Sequence, residues 1–383
     1  MKRRFKSLRI IGILILVFIC VFLISVFLSP FDNNDSDEKN VSTVFDTNTQ
    51  FKQFSEIEKT TPPYYHQQEE LMLDKLASMV GVDKIPIDSN NQQSFSVAIL
   101  DTGVFPHKDL VLPNNRIIAF KDFINEKENA YDDNGHGTAI AGIIGGNGYQ
   151  SDSKYCGLAP FVNIVAIKVL DHDCKGTSNS VSDGIYWAIE NKAKFNIKII
   201  NISIGVQIDD LRSNDKVAIA AEEAYNEGIF VVASVGNIKD KKTVLYSPAI
   251  SKSVVAVGSI KNVEFREDCQ YEIAEFSSYW KDNDGNIKPN LVAPGCNIVS
   301  LKSDKFYKGN GNFNSDLLYS SLGSGTSESS AVVTGIVAIL IYKFPEKSFE
   351  QIKEVLYKNC VLLENEGDKQ GKGFVFLRGE NLY

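Results

Sequence analysis

The stretch that most restricts this chain is GSGTSESSAVVTGIVAIL, Gly323 to Leu340, where Gly, Ser and Thr lead into an apolar run with no charge after Glu328. A helix that is apolar on every side has no face to offer water, so the rest of the chain has to wrap around it. Ser327 falls in its predicted first turn, beside unpaired backbone N–H groups and the positive end of the helix dipole. That place favours developing negative charge, as on a hydroxyl attacking a carbonyl. It is equally an ordinary place for a capping Ser or Thr. What Ser327 does therefore depends on what other elements bring to it.

The surrounding pattern alternates. Ser96–Leu100 (SVAIL), Asn163–Leu170, Ile197–Gly205, Ile229–Asn237 and Ser253–Ile260 read as strands. Helices are predicted over Glu69–Val80, from His136, over Ser180–Phe195 and Lys216–Asn226, and in SFEQIKEVLYKNC, which opens with a capping box of Ser348 and Gln351. Strands apolar throughout, alternating with helices, predict an α/β fold of three layers, a mostly parallel central sheet covered by helices on both faces. One domain over residues 69–383 is the economical reading.

The N-terminus has a different character. Residues 1–9 carry Lys2, Arg3, Arg4, Lys6 and Arg9 and no acid. Ile10 to Leu28 is an uninterrupted apolar run of 19 residues, about 28 Å as a helix, which matches the hydrocarbon core of a bilayer. Acidic residues follow from Asp32. The positive-inside rule predicts a cytoplasmic tail over 1–9, a transmembrane signal anchor over 10–28 in contact with the lipid bilayer, and a body outside the cell membrane. A cleaved signal peptide is the competitor, but no small-x-small cleavage site stands near Leu28 to Pro30. Residues 29–68, polar and with Pro62 and Pro63, read as a juxtamembrane stalk without a core.

The net charge is −8; without the five N-terminal cations it is about −13 on everything that follows. So acidic a body is a poor partner for phosphate backbones, which argues against nucleic-acid binding. Five of the six cysteines, Cys156, Cys174, Cys269, Cys296 and Cys360, lie in the body and match no CxxC pattern. Cys156 with Cys174 and Cys269 with Cys296 are two pairings open to an extracellular body, and unpaired, partly buried thiols are the alternative. The four histidines show no HExxH spacing, so catalytic zinc has no support.

In parallel sheets, functional groups collect at the carboxyl ends of strands. Asp101 directly follows SVAIL, Asn237 ends IFVVASVGN, and His136 stands between Gly135 and Gly137 where a helix begins. With Ser327 these are the parts of acyl transfer. A serine hydroxyl needs a neutral imidazole to take its proton. The imidazole needs a carboxylate to fix its tautomer, and the oxyanion needs donors, here the Asn237 amide and the Ser327 backbone N–H. Each residue alone also has a plain structural reading, as a turn former, cap or strand terminator. Together, in the order Asp–His–Asn–Ser, they are far more specific.

The chain resembles the subtilisin-like serine proteases, the subtilases (peptidase family S8). The resemblance rests on DTGVFPHKDL from Asp101, DDNGHGTAIAG around His136, VVASVGN ending at Asn237, KPNLVAPG from Lys288 and GTSESSAVVTG around Ser327, and on a triad order that differs from those of chymotrypsin and the α/β-hydrolases. It implies a serine endopeptidase that hydrolyses a polypeptide substrate through an acyl-enzyme, with Asp101, His136 and Ser327 as the catalytic triad and Asn237 in the oxyanion hole; with the anchor read from residues 10–28, the expectation is a membrane-anchored protease. A secreted precursor or leader peptide fits as substrate, and a catalytically silent peptide-binding protein is the alternative. The resemblance assigns Ser203, Ile204 and Gly205, and Ala233, Ser234, Val235 and Gly236, to the pocket for the residue before the cleaved bond. It implies no cofactor for catalysis. Structural calcium is common in the family; Asp109 matches one ligand position, and the loop Gly146 to Lys154 is a source of carbonyls. Four residues depart from the family pattern: Glu328 and Ala331 after the serine, Ala139 after the histidine, and Val206 after SIG.

Overall fold

The computed structural model describes residues 70–87, 94–208, 215–238, 245–262, 271–281, 285–309, 319–364, 366–379 and 382. The predicted tail, anchor and stalk over residues 1–68 lie outside the described residues.

A ten-stranded sheet forms the middle layer. Its strands are β1 (Ser96–Asp101), β2 (Ile117–Asp122), β3 (Asn163–Lys168), β4 (Ile197–Ile202), β5 (Phe230–Ser234), β6 (Val255–Asn262), β7 (Tyr271–Ile273), β8 (Leu291–Pro294), β9 (Cys360–Val361) and β10 (Phe374–Val375). The order is β9-β10-β8-β6-β5-β4-β1-β3-β2, with β7 beside β6. Pairing is parallel from β10 through to β2, and only β9 and β7 run antiparallel to their neighbours.

Alternation along each strand divides the core in two. Val97 and Ile99 of β1 and Val232 of β5 face a cluster that also holds Ile140 and Ile144 of α2 (His136–Gly145) and Val333, Ile336 and Leu340 of α5 (Thr326–Lys343). Ala98 and Leu100 of β1 and Val231 of β5 face the opposite cluster, with Val181 and Ile185 of α3 (Ser178–Glu190) and Val217 and Ala221 of α4 (Lys216–Asn226). The strands are apolar throughout because both faces are covered. Helix α1 (Leu73–Met79) and α6 (Phe349–Lys358) add to the first cluster through Leu76 and Ile352. The capping box predicted at Ser348 is present, as is one at Thr177 that opens α3.

Helix α5 is buried along its length: Thr326 to Tyr342 are all buried, leaving only Lys343 partly outside. Several expected boundaries shift, two of them with a visible local cause or contact. The helix predicted over Ser180–Phe195 is two helices, α3 and a turn at Lys192–Phe195, because Asn191 between them takes non-helical angles and its side-chain amide donates to the Trp187 carbonyl. The strand expected over Ile229–Asn237 is shorter, Phe230–Ser234, and its last ladder bond runs from the Val235 N–H to the Val257 carbonyl. Among the described residues no helix is long and apolar enough to cross a membrane.

Full burial on α5 makes a direct comparison. Ile336→Ala, at 0% exposure, is expected to lower unfolding free energy by about 2–5 kcal/mol. Ile219→Ala on α4, at 48% exposure, should change it by about 0.5 kcal/mol or less. Denaturant titration of the two variants checks the difference.

Candidate active site

The site is assembled where β1, β4 and β5 end and α2 and α5 begin. Asp101 is the last residue of β1 and fully buried. His136 is the first residue of α2, and its Nδ1 lies 2.8 Å and 2.9 Å from the two Asp101 carboxylate oxygens. Such a contact fixes Nδ1 as the protonated nitrogen and leaves Nε2 as the basic one. Gly135 makes the turn into α2 at φ 111°, a conformation that favours glycine. Gly137 is needed for close approach: a Cβ there would lie 2.1 Å from the Gly103 carbonyl oxygen and 3.0 Å from the Asp101 Cβ. Buried Asp132 ties down the same loop. It accepts from the Thr102 hydroxyl and from the backbone N–H groups of Asn134, Gly135 and Thr138.

Ser327 is 4% exposed, in the first turn of α5. Its hydroxyl donates to the Ser203 carbonyl at 2.7 Å, not to His136. The backbone of Ser327 is fixed in turn, since its carbonyl accepts from the hydroxyls of Ser203 at 3.2 Å and Ser330 at 2.7 Å. Asn201 on β4 completes this network, donating to the Ser203 hydroxyl at 2.6 Å and accepting from Thr334 at 2.9 Å.

Asn237 is oriented by Thr326. Its Oδ1 accepts from the Thr326 N–H and the Thr326 hydroxyl, both at 2.8 Å, so Nδ2 is the end turned to Gly325, where a Cβ would stand 3.1 Å from it. The stretches Ser203–Gly205 and Ala233–Gly236 lie beside the serine: Ser203 contacts it directly, and the Gly236 N–H donates to the Thr326 hydroxyl at 3.2 Å. The ring of Tyr246 stands between the two stretches. A Cβ built at Gly205 would lie 2.9 Å from Cδ1 of Tyr246, and one at Gly236 would lie 2.5 Å from Cδ2.

Glu328 is 3% exposed and folds back over the glycines before α5, where a Cβ on Gly323 would fall 2.1 Å from its Oε1. Burial pushes its carboxyl up to about 7, partly offset by the positive field of His136. For His136, burial would lower the imidazolium, but Asp101, with help from Glu328 and Asp132, outweighs it and lifts the group to about 9. Groups this close titrate together.

Sequence reasoning found Asp101, His136, Asn237 and Ser327, which the fold brings to one place. It missed Asn201, Thr326 and Tyr246, and it marked Glu328 only as a departure after the serine, whose carboxyl folds back over Gly323 and Gly325. Asn201 and Thr326 were visible in NISIG and GTS, but polar residues inside apolar elements show their partners only in three dimensions.

Calcium does not fit the residues around Asp109. Its Oδ1 accepts from the Gln150 N–H at 3.0 Å and its Oδ2 from the Tyr319 hydroxyl at 2.8 Å. The Arg116 guanidinium already donates to the carbonyls of Asp109, Gly145, Pro160 and Val162, so a cation of the protein occupies that ring of oxygens. Among the described residues no three His, Cys, Asp or Glu side chains come together as a metal site. Cys156 and Cys296 are free thiols, so neither pairing considered from the sequence forms. Burial raises both, Cys296 to about 12.

An Asp–His pair, a serine at a helix start and an oriented amide donor are the equipment for acyl transfer, and residues 92–376 match the subtilase family. The chain belongs to the subtilase family. It is 34% identical to serine protease AprX of Bacillus subtilis (strain 168) over 268 residues, covering 68% of this chain and 60% of that protein. It is 30% identical to the minor extracellular protease Epr of the same organism over 339 residues, covering 88% of this chain and 44% of that protein. This subtilase therefore spans about half the length of those curated relatives. Among solved structures it is similar to sphericase, with a TM-score of 0.63 at 24% identity, covering 82% of this chain and 99% of that one. That likeness bears on the fold, which is the three-layer arrangement expected.

The charge environment of this subtilase makes a pH prediction. A base must be neutral to accept a proton, so activity that uses His136 rises with pH through its raised value of about 9. Glu328→Gln removes a carboxylate that holds the imidazolium charged. The acidic limb of the kcat/KM profile is expected to move to lower pH. The stability sign is the opposite of an ordinary carboxylate: the folded Glu328 carboxyl is raised, so its contribution is present below its unfolded value and lost as pH rises to about 7. Glu328→Gln should flatten that fall, as followed by Tm between pH 4 and pH 8.

Proposed function

We propose that this chain is a serine endopeptidase that cleaves polypeptides through an acyl-enzyme on Ser327. The observation that carries the reading is the buried Asp101–His136 contact at 2.8 Å, with Glu328, the neighbour of Ser327, close enough to His136 for each to shift the other. In the reaction, Ser327 Oγ bonds to the substrate carbonyl carbon while its proton passes to His136 Nε2. His136 returns that proton to the departing amine as the C–N bond breaks. Asn237 Nδ2 and the Ser327 N–H stabilise the oxyanion. Water then repeats the sequence on the acyl ester and frees Ser327.

The hydroxyl of Ser327 first leaves the Ser203 carbonyl by turning about its side-chain bond. Exchanging one neutral hydrogen bond for another costs about 0.5–1.5 kcal/mol at most, small against a catalytic barrier. Contacts of this kind commonly tighten only with substrate in place.

The 19-residue apolar run Ile10–Leu28 with its basic flank supports a protease anchored in the cell membrane, its catalytic domain outside, acting on precursors that pass nearby. The extracellular relative Epr agrees with that side of the membrane.

A fluorophosphonate probe should label the protein, and Ser327→Ala should abolish the labelling; a folded protein that stays unlabelled would make it a silent peptide binder. Asn237→Ala is expected to lower kcat about 10²–10³-fold with little change in KM, a range that comes from subtilisin itself.

Deleting residues 10–28 should move the protein from the membrane pellet to the soluble fraction. Mass spectrometry of the N-terminus of the membrane-bound protein should find it uncleaved; a new terminus near Ser29 would mean a signal peptide.

A further inference from the structure

The resemblance to the subtilases places the side chain before the scissile bond between Ser203–Gly205 and Ala233–Gly236, the two stretches that lie beside Ser327. In a pocket with two glycine walls, the space between them sets the size of that side chain. Here an aromatic ring of the protein stands in it. Cδ1 of Tyr246 faces Gly205 and Cδ2 and Cε2 face Gly236, and a Cβ on either glycine would come within 3 Å of the ring. The ring spans the gap edge to edge.

Tyr246 is held there by its backbone. It belongs to an antiparallel ribbon in which Val206–Ile208 pairs with Leu245–Ser247, Gln207 standing opposite Tyr246. Its carbonyl accepts from the Ile250 N–H at 3.1 Å. The side chain is 2% exposed, and burial raises its phenol, which stays neutral. The partner strand of the ribbon begins directly after Gly205, so the wall of the pocket and the residue that fills it are one structural unit. Val206, the departure from the family pattern in this wall, pairs with Ser247 and is 1% exposed. The same ribbon therefore accounts for both features.

We propose that Tyr246 is a specificity-determining residue that fills the pocket for the residue before the scissile bond and restricts it to small side chains, Gly, Ala or Ser. The inference rests on the serine protease reading above and names its substrate class. A side chain the size of Phe or Leu has nowhere to go unless the ring leaves a site where it is packed on both edges, and overpacked apolar space is strongly disfavoured.

The test uses the full chain in detergent and two peptidyl diphenyl phosphonates that differ only in carrying Ala or Phe beside phosphorus. Ser327 Oγ bonds to phosphorus and phenoxide leaves, so the readout is the labelling rate without turnover, with a small fluorophosphonate as reference. The Ala compound is expected to react at least tenfold faster than the Phe compound in the wild-type protein. In Tyr246→Gly the preference should reverse, and in Tyr246→Leu it should narrow, each read as the ratio of the Ala and Phe rates within one variant.

Equal rates with the Ala and Phe compounds in the wild-type protein would overturn the proposal and leave the protease reading intact. So would a preference unchanged in both variants. No labelling even by the small fluorophosphonate, which carries no side chain to exclude, would overturn the protease reading and this inference with it. The wild-type comparison decides the question even if Tyr246→Gly does not fold.

Discussion

Everything in the site depends on bringing a carboxylate and an imidazole together out of water. The Asp101 carboxylate is fully buried and the His136 ring nearly so. A lone ion in that position would be expensive, and a partner at 2.8 Å is what makes it tolerable. The contact exists because β1 delivers Asp101 at its carboxyl end and α2 starts on the same spot. That meeting is possible only where Gly137 carries no side chain, since the Gly103 carbonyl and the Asp101 side chain fill the space. Asp132 then spends its whole carboxylate on the turn between the two elements. The pair is a product of backbone packing before it is a catalytic device.

The serine is positioned by a different means. Helix α5 lies in the core, and apolar burial alone would leave its rotation and axial position loosely set. The hydrogen bonds of Asn201 and Ser203 with Ser330, Thr334 and the Ser327 carbonyl fix both. Each polar atom in that network is costly unless paired, so the arrangement is narrow: a shift of α5 would break several bonds together. Thr326 transmits the same position to Asn237. Ser327 and Asn237 thus share one support, distinct from the support of the Asp101–His136 pair.

This division explains what was readable in the sequence. Strand–helix alternation, strand ends and helix starts are local, so the three layers and the places of Asp101, His136, Asn237 and Ser327 could be read residue by residue. The resemblance then related them to one another. The Asn191 break was hidden because KAKF continues the helical spacing past it. Tyr246 was hidden for a deeper reason: it is nine residues beyond Asn237 in the chain and reaches Gly205 only by strand pairing, a long-range contact that no periodicity announces. Asp109 shows the converse. A single matching residue suggested calcium, yet the oxygens around it had been claimed by Arg116, Gln150 and Tyr319.

Glu328 joins these strands. A carboxyl inside α5 breaks the apolar pattern, and as a helix-dipole partner it would gain about 0.3–1 kcal/mol at the surface. Buried, it gains less from the dipole than it loses in hydration, which is why its carboxyl is lifted to about 7 while it also helps to hold His136 charged. Neither effect suits a base that must be neutral. The cost is bounded because the positive field of His136 offsets part of it, and because Gly323 and Gly325 let the carboxyl lie flat on the backbone. A site with Asp101, Asp132 and Glu328 around one imidazole is biased toward alkaline working conditions. It is also biased toward a folded state that loosens as Glu328 ionises and His136 loses its charge. The basicity of His136 and the stability of its surroundings are therefore set by the same charges and cannot be adjusted independently.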